Sequence, residues 1–345
     1  MSNASLVVRE IGPMNYIENV TFILQGLLQV GCNAIILAAV ATNKDLRSRE
    51  YIYVTALAVC DLATGLNQLL SGAYRLAFNI LGISSNRIDP RKCLFRPMIH
   101  LLLFSGFATP TMLLLISVDR LIACASITTY SKLTTRANIA IVGGAFGFSL
   151  SIYLACLLRM TLVPYDNPMA HEDCPLSFSV PPLINLLYWS YQLLLGLLSS
   201  AIYALALLFL RGAIGGSQLS EQMRQNQERQ AKVTKTLAWV SLWTFLLYVI
   251  PLLLLVIGFL TPLKKYIYKV GQLLWLILNM NAANNIVIYL MKNATMRNAI
   301  LKLLRLKTDD PVEVFDTRMS RMSRASSVAR GPSAMQIRRR SSAMD

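Results

Sequence analysis

Seven long apolar runs constrain the fold of this chain more than any other feature. Each run is almost free of charge and reaches the roughly 20 residues that a helix needs to cross the hydrocarbon core of a bilayer. The runs lie at about 20–42, 52–74, 97–119, 137–158, 180–210, 236–260 and 270–291. Because hydrocarbon holds no water to bond the backbone, each run must be helical. The sequence therefore predicts an all-α protein, a bundle of seven transmembrane helices.

Composition and charge support a membrane protein. Only 14% of the 345 residues are charged, whereas 55% are hydrophobic, and soluble proteins are about 25% charged. The net charge is +16, but the basic residues lie between the apolar runs, which favours loops at a membrane face over a nucleic-acid surface. More Lys and Arg fall in the loops that would be cytoplasmic if the N-terminus is outside. We therefore expect an outside N-terminus in the plasma membrane.

The runs divide the chain into four segments. These are an extracellular tail (1–19), the transmembrane domain (20–293), a short amphipathic helix on the cytoplasmic membrane surface (294–307) and a disordered basic tail (308–345). Asn3 lies in a glycosylation sequon. The tail repeats Arg-x-Ser, so phosphorylation would reverse its local charge, although a merely solvated basic tail fits nearly as well. The candidate phosphorylation sites are Ser320, Ser323, Ser326 and Ser341.

One acid lies deep in an apolar run. A charge at Asp61 costs at least about 2.5 kcal/mol, so its side chain should face polar partners inside the bundle. The candidate partners on other runs are Asn33, Thr109, Asn281 and Asn285. The alternative is a neutral Asp61 that is only hydrogen-bonded between helices.

Three local features predict how the helices are connected and packed. Cys93 and Cys174 both face outside and are the plausible disulfide, with two free thiols as the alternative. Gly143-Gly144 should allow a neighbouring helix to approach closely. Pro251 should kink the sixth run because it lacks a backbone donor.

These residues together resemble a rhodopsin-like G-protein-coupled receptor. The motifs that carry the resemblance follow the family's order: Gly31-Cys32-Asn33, Leu57-Ala58-Val59-Cys60-Asp61, Cys93, Asp119-Arg120, Pro251 and Asn285-Ile286-Val287-Ile288-Tyr289. Further details resemble the nematode serpentine chemoreceptors of the Srsx class: Arg91-Lys92-Cys93, Cys174-Pro175 with Pro181-Pro182, and a seventh-run motif without proline. The resemblance implies a chemosensory receptor, for which a sensory cilium would be a fitting location.

The resemblance also implies roles for individual residues. Arg120 would contact a heterotrimeric G protein and be held at rest by Asp119. The sixth helix would swing outward while Tyr203, Phe245 and Tyr289 repack. Asp61 and its polar partners resemble a sodium-binding centre, and no other cofactor is expected. A kinase and arrestin would act at the tail. The ligand pocket would be lined by Leu102, Gly106, Tyr188, Tyr191, Leu252, Val256, Trp275 and Asn279.

Several positions depart from the family pattern. Leu121 replaces the usual tyrosine after the arginine, and Ile286 replaces the proline of the seventh-helix motif. Tyr248 and Val249 stand where a tryptophan is usual, and the acid opposite the arginine is missing, with Glu228 the nearest. These departures concern the contacts that would hold Arg120 at rest and the residues that would move on activation. They leave the expected fold unchanged.

Other functions fit less well. A seven-helix transporter would carry more ionisable residues at depth, and an enzyme would have few groups to use, since His100 and His171 are the only histidines. A retinal protein would need a lysine in the seventh run, and this chain has none between Lys269 and Lys292. Leu102 stands where amine receptors of the family have an aspartate, which argues against a cationic amine as the ligand. A small neutral ligand suits the apolar pocket, whereas the outer basic cluster, Arg87 to Arg96, would suit an acidic ligand or a neuropeptide.

Overall fold

The computed structural model describes residues 13–84, 86–162, 170–172, 174, 179–213, 234, 238–261 and 264–306. The predicted sites at Asn3, Ser320, Ser323, Ser326 and Ser341 lie outside the described residues, as does Glu228. The chain forms two compact units, residues 1–300 and 301–345. The membrane helices all belong to the first unit.

Seven helices among the described residues are long and apolar enough to cross a membrane, as predicted. They are Pro13–Thr42, Arg49–Ile80, Pro97–Ala125, Thr135–Leu162, Pro182–Ala213, Ala238–Gly258 and Lys264–Lys292, called here the first to the seventh helix. Most extend beyond the apolar runs. The third helix has 29 residues, about 44 Å at 1.5 Å per residue, so it passes the roughly 30 Å hydrocarbon core.

The third helix lies at the centre of the bundle and packs against the second, fourth and fifth helices. The first and second helices approach each other closely. A Cβ atom on Gly65 would lie 2.8 Å from Cβ of Gln29, so a glycine is needed there. The expectation for the fourth helix is wrong: a Cβ on Gly143 or Gly144 would meet nothing within 4 Å. That helix lies at the edge of the bundle and most of its surface is exposed.

A disulfide and a two-stranded sheet cover one end of the bundle, called here the outer end. Cys93 and Cys174 are bonded, with Cα atoms 5.6 Å apart, which confirms the predicted bridge. Strand Arg87–Ile88 pairs antiparallel with strand Ala170–His171, with Arg87 opposite His171. Cys93 ends a short helix, Pro90–Cys93, whose start is capped by Asp89. The bridge therefore ties the loop after the fourth helix to the start of the third.

The sixth helix changes its hydrogen-bond register before Pro251. Residues Phe245–Val249 form a π-helical turn, and the N–H of Ile250 bonds to the carbonyl of Phe245. An α-helix then runs from Ile250 to Leu260. The predicted irregularity therefore takes the form of a π turn, a feature that often marks functional sites.

A short helix, Ala294–Leu303, follows the seventh helix and ends four residues before the predicted boundary at 307. Asn293 caps its start, because the Asn293 side-chain oxygen accepts from the N–H of Met296 at 3.0 Å. Met296 and Ile300 are buried on one face, whereas Arg297 is exposed. The helix is therefore amphipathic, as its sequence predicts.

Candidate functional site

The inner end of the third helix holds a buried ion pair. Arg120 is 1% exposed and Asp119 is 4% exposed. Nε of Arg120 donates to Oδ2 of Asp119 at 2.8 Å, and Nη2 contacts the same oxygen. A buried ion pair persists only where its geometry and remaining hydrogen bonds are satisfied. The structure thus brings together the two residues that the sequence singled out.

Tyr130 completes the site around the arginine. It lies on a short helix, Ile127–Lys132, that follows the third helix. Nη2 of Arg120 donates to the Tyr130 hydroxyl at 2.8 Å, and the guanidinium lies 5.7 Å from the centre of the ring. Sequence reasoning missed Tyr130, because nothing in the sequence shows that the chain turns back toward Arg120. Tyrosine stands ten residues after the arginine instead of directly after it.

Thr234, which precedes the sixth helix in the chain, contacts both the third and the fifth helix. The Tyr203 hydroxyl donates to the carbonyl of Thr234 at 2.6 Å, and Sγ of Cys124 on the third helix lies 3.7 Å from Oγ1 of Thr234. Trp239 lies on the sixth helix, and Nζ of Lys292 at the end of the seventh helix is 4.8 Å from the centre of its ring. Thr234 is therefore joined to the third and fifth helices, and the sixth helix is joined to the end of the seventh.

Two predicted switch residues differ in their placement. Tyr289 is buried, and its hydroxyl has no hydrogen-bond partner among the described residues. Phe245 is 37% exposed and lies at the surface of the bundle instead of in the core. The π turn that starts at Phe245 rotates the following residues, so Tyr248 and Val249 occupy the buried positions.

The polar centre lies midway along the bundle. Nδ2 of Asn285 donates to Oδ2 of Asp61 at 2.7 Å, and Asp61 is 1% exposed. Oγ1 of Thr109 is buried without a hydrogen-bond partner in the described part of the chain. Thr109, Asn281 and Asp61 line one cavity. Four of the five predicted polar residues are therefore close together, and all four carry oxygen atoms that a hard cation could use.

Asn33 instead contacts the main chain of the seventh helix. Its Nδ2 donates to the carbonyl of Ala282 at 3.0 Å. Gln29 and Gln25, one and two turns earlier, donate to the carbonyls of Asn279 at 2.5 Å and Leu276 at 2.8 Å. These three side chains form a polar ladder that joins the first helix to the main chain of the seventh. Sequence reasoning found only Asn33, although the spacing of four residues was visible.

The cavity beside Asp61 has a volume of about 30 Å³, which is room for a few water molecules. It continues toward the outer end, where five predicted pocket residues line it: Leu102, Gly106, Tyr188, Trp275 and Asn279. Gln192 and Tyr248 also line it and were not predicted. The Tyr248 hydroxyl donates to Oε1 of Gln192 at 2.9 Å. The predicted pocket and the polar centre are thus one continuous space.

Tyr188 packs closely against the third helix at the wall of this cavity. Its hydroxyl donates to the carbonyl of Leu102 at 3.2 Å, and its ring lies over Gly106, where any Cβ would collide with the ring. Three predicted pocket residues, Tyr191, Leu252 and Val256, do not line the cavity. The hydroxyl of Tyr191 lies 2.7 Å from Oγ1 of Thr111, and Leu252 and Val256 are buried in the bundle.

The described residues contain no group of three or more His, Cys, Asp or Glu that could hold a metal ion. The comparison with known families is specific. A family model described as 7 transmembrane receptor (rhodopsin family) matches residues 32–289 of the 345. The match begins at the Asn33 motif and ends at Tyr289, so it takes in the last third of the first helix, the second to sixth helices and nearly all of the seventh. It includes every contact described above for the ion pair and the polar centre.

Proposed function

The chain belongs to the rhodopsin family of seven-transmembrane receptors, and from that premise we propose that it is a chemosensory receptor for a heterotrimeric G protein. Ligand binding from outside would move the sixth helix and promote nucleotide exchange on the Gα subunit. The chain is a multi-pass membrane protein, and we place its N-terminus outside the plasma membrane of a sensory cell. The nematode Srsx class remains the subclass that we propose.

The observation that carries this proposal is the buried Asp119–Arg120 pair. Burying a guanidinium so that it is 1% exposed at the end of a membrane helix is costly, and such residues usually mark functional sites. The partners of Arg120 are Asp119 on one side and Tyr130 on the other. Both bonds would have to break or rearrange before Arg120 could contact a G protein. The described contacts therefore fit a resting state.

Activation would follow from a population shift. An agonist must bind the active state more tightly than the resting state, because equal affinity for both shifts nothing. The sixth helix has the features of a moving part: a π turn at Phe245–Val249 and a proline at 251. Just before it, Thr234 contacts the third and fifth helices through Cys124 and Tyr203. Those contacts can be exchanged at low cost.

The polar centre supports a second element of the proposal, a sodium site. Asp61 would supply the charge, and Thr109 and Asn281 would supply oxygen atoms in the same cavity. The Thr109 hydroxyl, which has no hydrogen-bond partner among the residues that the structure describes, fits such a role. A bound cation would offset the cost of burying the Asp61 carboxylate.

A neuropeptide receptor of the same fold is the second candidate. The exposed basic residues Arg87 and Lys92 at the outer end favour it, since an acidic peptide would contact such a surface. A kinase and arrestin at the tail serines, and glycosylation at Asn3, belong to either version of the proposal. A transporter is the less favoured alternative.

Complex formation with a G protein tests the proposal without a known ligand. Receptor in nanodiscs would be mixed with each of a panel of Gα subunits with Gβγ, and bound nucleotide removed with apyrase. We expect at least one subunit to be retained and then released by GTPγS. The Arg120→Ala variant should retain at least tenfold less. Retention that is unaffected by nucleotide, or equal in the variant, would contradict the proposal.

A further inference from the structure

A second cavity lies at the outer end of the bundle, with a volume of about 100 Å³. Four side chains of the second helix form its polar wall: Asn67, Gln68, Ser71 and Arg75. Trp189 of the fifth helix and Trp275 of the seventh form an aromatic wall. The two indoles meet edge to face, with ring centres 5.3 Å apart. The predicted ligand pocket included only Trp275 and Leu102 from this cavity.

The polar wall offers hydrogen-bond donors. Gln68 is 2% exposed, and its Nε2 has no acceptor among the described residues. The neighbouring Oδ1 of Asn67 accepts from the Ser71 hydroxyl at 3.2 Å. Arg75 adds guanidinium donors and a positive charge. A buried donor without an acceptor is costly, so a ligand that brings an acceptor to Gln68 would remove that cost.

We infer that this cavity binds the carboxylate of a small acidic ligand whose flat apolar part rests against Trp189 and Trp275. The carboxylate accepts from Gln68 and Arg75, since a carboxylate has several lone pairs and suits the planar guanidinium. This inference rests on the proposed function, because it specifies the ligand class of the receptor. It replaces the neutral ligand expected from the apolar residues of the other cavity.

The size of the cavity fits a head group rather than a whole ligand. An apolar cavity of about 150 Å³ holds one benzene, so about 100 Å³ holds a carboxylate and one or two further carbons. The rest of the ligand would extend along the indoles. Aromatic faces and edges favour a flat partner there.

The other outer arginines do not serve this cavity. Nη2 of Arg96 pairs with Oε1 of Glu172 at 3.4 Å, and its guanidinium lies 4.9 Å from the ring centre of Tyr74. Arg91 is exposed on the short helix before the third helix. Neither residue lines the cavity. Arg91 is therefore a matched control for Arg75, because it carries the same charge at the same end of the bundle.

Direct binding of benzoate to purified receptor in nanodiscs, without G protein, tests the inference. Benzamide is the neutral probe of the same shape. We expect saturable benzoate binding, with benzamide at least about tenfold weaker, since a hydrogen bond to a charged group commonly changes affinity by that factor or more. Gln68→Met and Arg75→Gln should each weaken benzoate about tenfold. Arg91→Gln should change it less than about twofold.

Three results would overturn the inference: no saturable benzoate binding by wild-type receptor with a normal unfolding transition, equal affinity for benzoate and benzamide, or an equal loss in Arg91→Gln. Thermal unfolding of each variant shows whether it is folded. If Gln68→Met does not fold, Arg75→Gln, at a polar and half-buried position, tests the inference in its place.

Failure of this inference and of the proposed function are distinguishable. Benzoate binding with the expected variant pattern, but without nucleotide exchange on any Gα subunit, would support the carboxylate site and contradict G-protein coupling. Nucleotide exchange that depends on Arg120 and is stimulated by an uncharged compound, without benzoate binding, would support G-protein coupling and overturn the carboxylate site.

Discussion

Arg120 donates a hydrogen bond to the hydroxyl of Tyr130 at 2.8 Å, across ten residues of sequence. The same guanidinium group contacts the carboxylate of Asp119. The short helix Ile127–Lys132 is thereby joined directly to the inner end of the third helix. In this chain, where the acid that usually faces the arginine is missing, Tyr130 supplies a second restraint on Arg120.

Removing only the hydroxyl of Tyr130 should raise basal activity. Tyr130→Phe keeps the ring beside the guanidinium but removes one hydrogen bond to a charged group, worth about 1.5–3 kcal/mol. If that bond exists only in the resting state, basal nucleotide exchange should rise about tenfold. Tyr153→Phe is the control, because its hydroxyl contacts His100 in the outer half of the bundle. Unchanged basal exchange in Tyr130→Phe would show that this bond does not restrain the receptor.

A methyl group at position 106 should destabilise the receptor. A Cβ on Gly106 would collide with the ring of Tyr188, whereas one on Gly143 would meet nothing within 4 Å. Gly106→Ala should therefore lower stability by about 1–3 kcal/mol through overpacking. Gly143→Ala should be neutral or stabilising by up to about 1 kcal/mol, because alanine favours helix. Thermal unfolding in nanodiscs measures both, and equal effects of the two variants would contradict the placement of Tyr188.

The polar ladder between the first and seventh helices should contribute modestly to stability. Gln29→Met keeps the side-chain length but removes the bond to the carbonyl of Asn279. Interhelical hydrogen bonds in membranes average about 0.6 kcal/mol, so we expect a loss of about 0.5–2 kcal/mol. Leu28→Met is the control, because the Leu28 side chain is exposed at the periphery of the bundle. A loss as small as that of the control would show that the ladder carries no stability.

The π turn in the sixth helix should depend on Pro251. Pro251→Ala restores a backbone donor and lets the helix run in α register, where proline costs about 3 kcal/mol. We expect higher thermal stability and agonist-stimulated exchange several-fold lower, since a regular helix would lose its hinge. Pro182→Ala is the control, because that proline starts the fifth helix. Unchanged maximal exchange in Pro251→Ala would show that activation does not use this hinge.

The sodium site has its own test. Sodium chloride, compared with choline chloride at equal ionic strength, should raise the thermal stability of the wild-type receptor. Asp61→Asn should lose this difference, because it removes the charge but retains a side chain that can face Asn285. A sodium effect of equal size in Asp61→Asn would contradict the site.

Much of the fold could be predicted from the sequence because lipid allows few alternatives. Charge-poor runs of about 20 residues must form helices, and Cys93 and Cys174 were the two cysteines expected on the outer side. The Asp61–Asn285 contact was also predictable, since a buried acid needs a polar partner.

The remaining features depend on how the helices are rotated and on how the chain turns back. Tyr130 reaches Arg120 only because a short helix returns to the third helix. Phe245 was predicted as a switch residue, but it lies at the bundle surface, and the residues of the π turn that are buried are Tyr248 and Val249. Gln68 and Arg75 line a cavity that also needs residues from the fifth and seventh helices. No local pattern specifies such a combination.

Nucleotide exchange on a panel of Gα subunits tests the central claim most directly. Membranes carrying the chain would be compared with membranes carrying Arg120→Ala at equal surface expression, with and without pooled small-molecule extracts. We predict that exchange on at least one subunit rises with an extract and is abolished by Arg120→Ala. No exchange on any subunit, or exchange that persists in Arg120→Ala, would contradict a receptor that signals through Arg120.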